Sequence, residues 1–571
     1  MKTDLSIEYE LYDTTAQEDG TEYSDSNQTF GDLILLKEKR SVPSYGTLEQ
    51  NFFVLDESKT EMPDAPSDIA YFSQEQGDSI GVFENEQSVY VTFTENHTSV
   101  GLTLYFEDVY PLEMVISWYD IHGILKAVKT YNPDSKIYFA QNQVEDYAAV
   151  RIVFTKVLPF HNVKLSYIAF GTTLVWESDM IKTGKLTEET DPISNTIKIN
   201  KLNFELVDTQ NLFDIGNPEG LHKTFQTNQK ITPYEYINGE KTLLGIYYMD
   251  VNASSKNLTQ ITAFDMKGLL DNADFVDGKI YQGEPAGNII DAIMETAGIA
   301  DYEIDDEVRS VPLYGTLKIQ TCRKALREVL FACGAVIDTD RRTNMYIRKY
   351  NRLVHSRVER ERKFSTVLKV QEYVSDVNVS FKTWALASEQ KEITKGTYQA
   401  GRHLVKLTNP ASNMSINVGT IIKQAPYYIE FELENDSEVK ITGQKWESTD
   451  ISAEASLAHV KAGEKRSTKS FTGTLLDFNK AKEVAKNILD YYQLQQSVDI
   501  RYMGRNEASG AWIEVENPDT RHGDFVAGIE KLTTDLVGGF IQTAVCRGYY
   551  KLTEPDYYAG EIYAGEEVGG I

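Results

Sequence analysis

The chain has 571 residues, with 86 acidic and 57 basic side chains and a formal net charge of −29. That balance argues against a protein that grips nucleic acid through clustered Lys and Arg, and 41% apolar with 25% charged residues argues against wholesale disorder. The length implies roughly three to five domains, because one core rarely grows past a few hundred residues.

Residues 1–44 are polar and acidic around one strand-like piece, GDLILLKEK, and read as an N-terminal arm. Residues 45–175 hold short runs rich in Val, Ile, Tyr and Phe, among them SVYVTFTEN, GLTLYFED, EMVISWYDIHG, IYFAQNQ, AAVRIVFTKV and VKLSYIAFG. Such residues fit a pleated surface, polar turns part the runs and no helical period intervenes, so a β-sandwich of jelly-roll type is expected. A second β-rich block covers 176–278.

Residues 279–360 read as a small α/β unit. In GEPAGNIIDAIMETAG, Pro285 suits a first turn, Ile289, Ile290, Ile293, Met294 and Ala297 make one apolar stripe, and Gly298 closes it. CRKALREVLFACG repeats the scheme with Ala325, Leu326, Val329, Leu330 and Cys333, ending at Gly334. The three cysteines, Cys322, Cys333 and Cys546, make no disulfide framework, and Cys322 and Cys333 are expected to share the buried side of this helix. Residues 361–550 are β again, broken by a helix over 478–493 that Asp477 caps. Residues 551–571, rich in Tyr, Gly and Glu, read as a docking tail or a frayed terminus. The fold class is mainly β (α+β).

RSVPSYGTL at 40–48 returns as RSVPLYGTL at 309–317. The first copy runs into EQNFFVLDES and the second into KIQ and a helix, so the flanking periodicity differs. A duplicated unit carries its period with it; local turn chemistry, with Pro bending the chain and Tyr-Gly leading into a strand, is the reading adopted.

Catalytic signatures are missing: no HExxH, no GxSxG, no GxGxxG and no Walker-type phosphate loop, and the eight His are scattered singly. No enzyme is expected. Candidate ligands for Ca2+ are Asp56, Glu57 and Asp78, carboxylates on sandwich-end loops. Tyr71, Trp118 and Tyr119 are candidates for stacking on a sugar ring, although Met114, Ile116 and Trp118 alternate as a core face would. No apolar stretch suits a signal peptide or a membrane span, so synthesis in a cytoplasm without a leader is expected.

TLEQNFFVLDES followed by VYVTFTENHTSVGLTLYFEDVYPLEMVISWYD resembles a galactose-binding, discoidin-type jelly roll. LNFELVDTQNLFDI, the GIYYMDV strand, ITAFDMKGLLDN, the AGNIIDAIMETAG helix and RKALREVLFACGAVIDTDRRTNMYIRK resemble the hub (baseplate, tail-tip) proteins of long-tailed phages and related contractile particles, and AKEVAKNILDYYQ with GDFVAGIEK is similar to their second half. The resemblance implies two tail-tube-like β-barrel domains, at 176–278 and 361–550. It implies a virion protein of the tail tip, a homotrimer whose six barrels join tail tube to tip around a channel for DNA. Its partners would be a tail tube or distal tail protein, a spike or plug protein, genomic DNA passing without sequence-specific contact and, through the jelly roll, either a host-surface glycan or only neighbouring tail proteins. An acidic lumen wall is expected, since carboxylates repel DNA at contact range. A carbohydrate-binding adhesin and a tail-borne cell-wall hydrolase are the alternative functions.

Overall fold

The first strand organises the largest sheet. In the computed structural model, which describes residues 3–24, 49, 70–107, 109–209, 211, 213, 217, 228–255, 257–460, 463–518 and 523–551, Thr3–Tyr12 is a β-strand. It lies antiparallel between Gly171–Glu177 and Lys230–Ile237. Leu5, Ile7, Tyr9 and Leu11 alternate inward and are buried. An arm was expected over 1–44. The alternating apolar residues make its first part an internal strand instead, because a half-buried ladder satisfies both backbone and side chains.

A 14-stranded sheet spans the molecule. Its first part runs, in spatial order, Ile181–Glu189, Lys201–Val207, Leu258–Asp265, Tyr247–Ser255, Lys230–Ile237, Thr3–Tyr12 and Gly171–Glu177. All seven strands send side chains into one buried cluster that includes Ile7, Trp176, Leu186, Phe204, Ile231, Met249 and Ile261. The two outermost strands are consecutive in sequence, and a short turn in which Met180 N–H donates to the Glu177 carbonyl joins them. The sheet therefore curls into a barrel.

The second part runs Lys363–Val370, Gln496–Met503, Ile541–Tyr550, Phe525–Asp535, Trp512–Val515 and Val354–Val358 around Val358, Ile500, Ile513, Phe525 and Cys546. Its outermost strands are again consecutive, joined by the Arg360–Arg362 turn. The second barrel was expected to fill 361–550. In the structure residues 371–495 are an insertion between two of its strands, Lys363–Val370 and Gln496–Met503. Asp376–Tyr398 and Ser437–Ser456 form a long antiparallel pair in a separate four-stranded sheet, beside a three-stranded one.

The helices stand off the barrels. Ala286–Thr296, Cys322–Cys333 and Phe478–Tyr492 share one core with strands of the insertion. Gly334 ends the second helix at φ 60°, a left-handed cap that costs glycine little. The Asp477 side chain accepts the Lys480 N–H at 2.7 Å and caps the third. Cys322 and Cys333 are both buried on one helix. Among the described residues no helix is long and apolar enough to cross a membrane.

Between the first strand and residue 171 the chain folds a seven-stranded antiparallel sheet. SVYVTFTEN and GLTLYFED, expected as separate strands, belong to one strand, Val82–Phe106, and IYFAQNQ and AAVRIVFTKV to another, Ile137–Lys156. Register shifts between Thr92 and Gly101 bend the pair. The sheet thus folds over its own core of Val91, Leu104, Ile116, Trp118 and Phe154.

Candidate functional site at the seam between the barrels

The two barrels share ladders rung for rung. Leu186 lies opposite Leu202, Leu202 opposite Ala263, and Ala263 opposite Met249. In the second barrel the same rung reads Leu368, Val498, Cys546, Ile529. Both barrels carry register shifts at matching places. One falls between Ile181 and Thr183, matched between Lys363 and Ser365. The other falls between Met249 and Val251, matched between Ile529 and Lys531. Two pairs of coincident bulges on one rung pattern make the barrels copies of a single unit. The Thr3–Tyr12 strand is an addition to the first copy.

The copies join edge to edge. Lys185, Leu186, Thr187, Glu188 and Glu189 pair antiparallel with Asp535, Thr534, Thr533, Leu532 and Lys531. Lys531 Nζ sits 2.8 Å from Glu189, and Leu536 N–H donates to the Gly184 carbonyl at 2.9 Å. An open cleft of about 730 Å³ lies over this junction, lined by Lys182, Lys185, Glu205, Arg501 and Asp535 among others.

On the open face of the joined sheet Lys182, Lys185, Lys201, Lys369, Arg501 and Lys531 stand among Glu189, Glu205, Asp499 and Asp535. Lys182 pairs with Glu205 at 3.4 Å, and Lys369 pairs with Asp499. The carboxylate majority expected of a DNA-facing wall is therefore not on this face. Neighbouring strands favour opposite charges across a rung, and that preference mixes the signs.

The inner side of the seam is a buried polar network. Asp340 accepts the Ser509 hydroxyl at 2.7 Å and the Asn200 side-chain N–H at 2.5 Å. Arg341 donates to the Glu507 carbonyl at 2.9 Å, and Arg362 donates to the Glu507 carboxylate at 2.7 Å. Lys267 and Asp265 pair at 3.1 Å, and the Thr339 hydroxyl donates to Asp265 at 2.7 Å. First barrel, α/β unit and second barrel all contribute. Burial, followed by the nearby Asp340 charge, pushes the Glu188 carboxyl well above its ordinary range. Burial works against the Arg341 charge, but Glu188, Glu235 and Asp340 outweigh it and raise the Arg341 pKa. The paired groups tie the two barrels and the α/β unit together across the seam, whereas both Glu188 carboxyl oxygens and the Arg341 Nε have no hydrogen-bond partner among the described residues.

The residues singled out from sequence lie elsewhere. Trp118 and Tyr71 are fully buried in the core of the N-terminal sheet, Tyr71 against Phe154 with ring centroids 5.5 Å apart. Neither presents a face to a sugar, because a large aromatic ring contributes more to the core by burial. Tyr119 is half-buried at the end of the Glu113–Tyr119 strand. Asp78 accepts the backbone N–H groups of Ile80 and Val82, both at 2.9 Å, and these bonds lower its pKa. Asp120 holds the turn before Ile124 in the same way. Asp78 is thus a turn former, and among the described residues no group of three or more His, Cys, Asp or Glu could hold a metal. Asp56, Glu57, RSVPSYGTL and GDLILLKEK lie outside the described residues.

No family model matches the chain, and no curated protein matches it. Its structural neighbours come from tails and virions. A 43 kDa tail protein of prophage MuSo2 from Shewanella oneidensis is 10% identical, over 64% of this chain and 93% of that one, with a TM-score of 0.38. A tail protein from Neisseria meningitidis is 10% identical over 64% and 92%, at 0.39. A chain of the virion of a native gene transfer agent particle is 11% identical over 94% and 95%, at 0.26.

The seam residues escaped the sequence reading. One signal for Glu188 was present: along Ile181–Glu189, Leu186 and Glu188 are two apart and share a face. A Glu on the apolar face of an alternating strand marks a buried titratable group.

Proposed function

We propose that this chain is a structural hub of a phage-type tail or related particle, in which copies close a ring around a channel. The observation that carries the reading is the duplication: two copies of one barrel, joined edge to edge in one continuous sheet. A chain built this way makes a ring with twice as many barrels as subunits. The resemblance in sequence to tail hubs supports three copies and six barrels, which would mate a threefold tip with a sixfold tube. Tail tube on one side and spike or plug on the other are the partners that follow, with DNA passing through the bore. The N-terminal sheet is an outward module that packs on neighbouring tail proteins; burial of Tyr71 and Trp118 weighs against a sugar site there. Negative-stain images of the purified full-length chain test the proposal, together with mass by light scattering. Threefold rings with a central opening are expected. A monomer at every concentration, or a solid particle with no bore, would end it.

A further inference from the structure

One strand of the second barrel is unfinished. Among the described residues Lys363–Val370 pairs with one strand only, Gln496–Met503, and forms an end of the large sheet. It alone of its barrel's strands adds nothing to the buried cluster. Leu368 is 38% and Val370 84% exposed, whereas Leu186 and Glu188 on the matching rungs of the first barrel are fully buried. An exposed apolar edge of this length is a template for another strand.

The first barrel has the complementary gap. After its bulge at Ile529 and Lys531, the Phe525–Asp535 strand receives residues 185–189 of the first barrel. The matching strand, Tyr247–Ser255, bonds Lys230–Ile237 through Tyr247 and Tyr248. Beyond its own bulge, residues 251–255 pair only with Leu258–Asp265 among the described residues. Donor and acceptor edges both exist in one chain, and each is the duplicate of a half that is already joined.

We infer that Lys363–Val370 of one copy pairs antiparallel with residues 251–255 of a second copy, in the register displayed at the internal seam. Transferring the rungs puts Val367 opposite Ser255, Leu368 opposite Ser254, Lys369 opposite Ala253 and Val370 opposite Asn252. Donor and acceptor are different surfaces, so the contact is head-to-tail, and its repetition closes a ring or runs on as a filament. Each step between copies repeats the step between barrels within a copy. The pairing stands on the duplication; only the number of copies rests on the ring reading above.

Cysteine pairs test the register in the full-length chain. Residues directly opposite in an antiparallel pair have Cα atoms about 4.5–5.5 Å apart, within disulfide reach. The native Cys322, Cys333 and Cys546 are buried and leave the background low. The double variant Lys369→Cys with Ala253→Cys is expected to give intermolecular disulfides under copper–phenanthroline, read as a ladder on non-reducing gels. Lys369→Cys with Asn252→Cys, one residue out of register, is expected to give at least tenfold less, and each single variant none. A ladder ending at three copies supports pairing and ring together. A ladder running past three keeps the pairing and overturns the threefold ring. Oligomers by light scattering without in-register disulfides overturn the pairing and leave the ring. A monomer with no disulfide overturns both.

Discussion

Leu186 and Leu368 stand on equivalent rungs of two copies of one barrel, yet Leu186 is fully buried and Leu368 is 38% exposed. The difference is a neighbour. Leu186 has the second barrel's Phe525–Asp535 strand beside it, and Leu368 has no such strand among the described residues.

This asymmetry is measurable by truncation. Leu186→Ala is expected to lower the unfolding free energy by about 2–5 kcal/mol, as for other buried leucines. Leu368→Ala in the dissociated chain is expected to stay within about 1 kcal/mol of the parent, as exposed sites do. Urea unfolding monitored by tryptophan fluorescence compares them. Equal losses at both positions would mean that the rungs are not in different environments.

His97 is clamped between Asp13 and Asp19, Nδ1 at 3.1 Å from one and Nε2 at 3.0 Å from the other, and so ties the N-terminal helix to the folded sheet. Burial raises the Asp13 carboxyl, but hydrogen bonds from His97, Thr15 and the Ala16 N–H outweigh it and bring it down to about 2. Burial disfavours the charged imidazole, but both aspartates outweigh it and raise the His97 pKa above 6.5. The aspartate share of stability is therefore full above pH 3.8 and is lost as pH falls toward 2. The histidine share is full below pH 6.5 and fades as pH rises through the folded value. His97→Gln should flatten stability against pH above 6.5, and removing the Asp13 shift should cost at most about 2 kcal/mol, less what solvent screening takes away. An NMR titration placing the His97 midpoint at or below 6.5 would contradict the clamp.

At the seam, Arg341 faces more carboxylate than it balances. Arg341→Met takes the buried cation away from Glu235 and Asp340 and is expected to cost about 3–5 kcal/mol. Glu188→Gln is expected to be mild at neutral pH. It also removes a pH slope: the raised Glu188 pKa means that the native state loses stability as pH climbs from 4.5 through the folded value. Calorimetry at several pH values checks both. A Glu188→Gln loss as large as that of Arg341→Met would show that Glu188 is charged and paired.

Gly315, inside RSVPLYGTL, has φ 121° and lies so close to the insertion that an added Cβ would meet the Thr474 carbonyl oxygen at 2.0 Å. Gly315→Ala is expected to cost about 1–3 kcal/mol from backbone strain alone, with the clash added to it. Chemical denaturation reads the loss; a neutral substitution would show that the insertion does not press on this turn.

That turn also bears on what was legible. RSVPLYGTL forms part of the Pro312–Thr316 strand of the α/β unit and belongs to neither barrel, so the visible repeat is not the structural one. The structural repeat leaves almost no trace in letters: over 182–189 and 364–371 only Leu186 and Leu368 coincide. A barrel rung asks for an apolar side chain at alternate positions and seldom for a particular one, so two copies drift apart while their bulges persist.

Composition, alternation and capping residues sufficed for the mainly β class, for the helices at Ala286, Cys322 and Phe478, and for the buried side of each, because periods of 2 and 3.6 residues are local properties. Which strand pairs with which was decided by tertiary structure alone. Thr3–Tyr12 joins a barrel whose other strands begin at residue 171, and residues 185–189 meet 531–535 across more than 300 positions. Such pairings are chosen by how whole faces cover one another, and no short stretch of sequence contains that information.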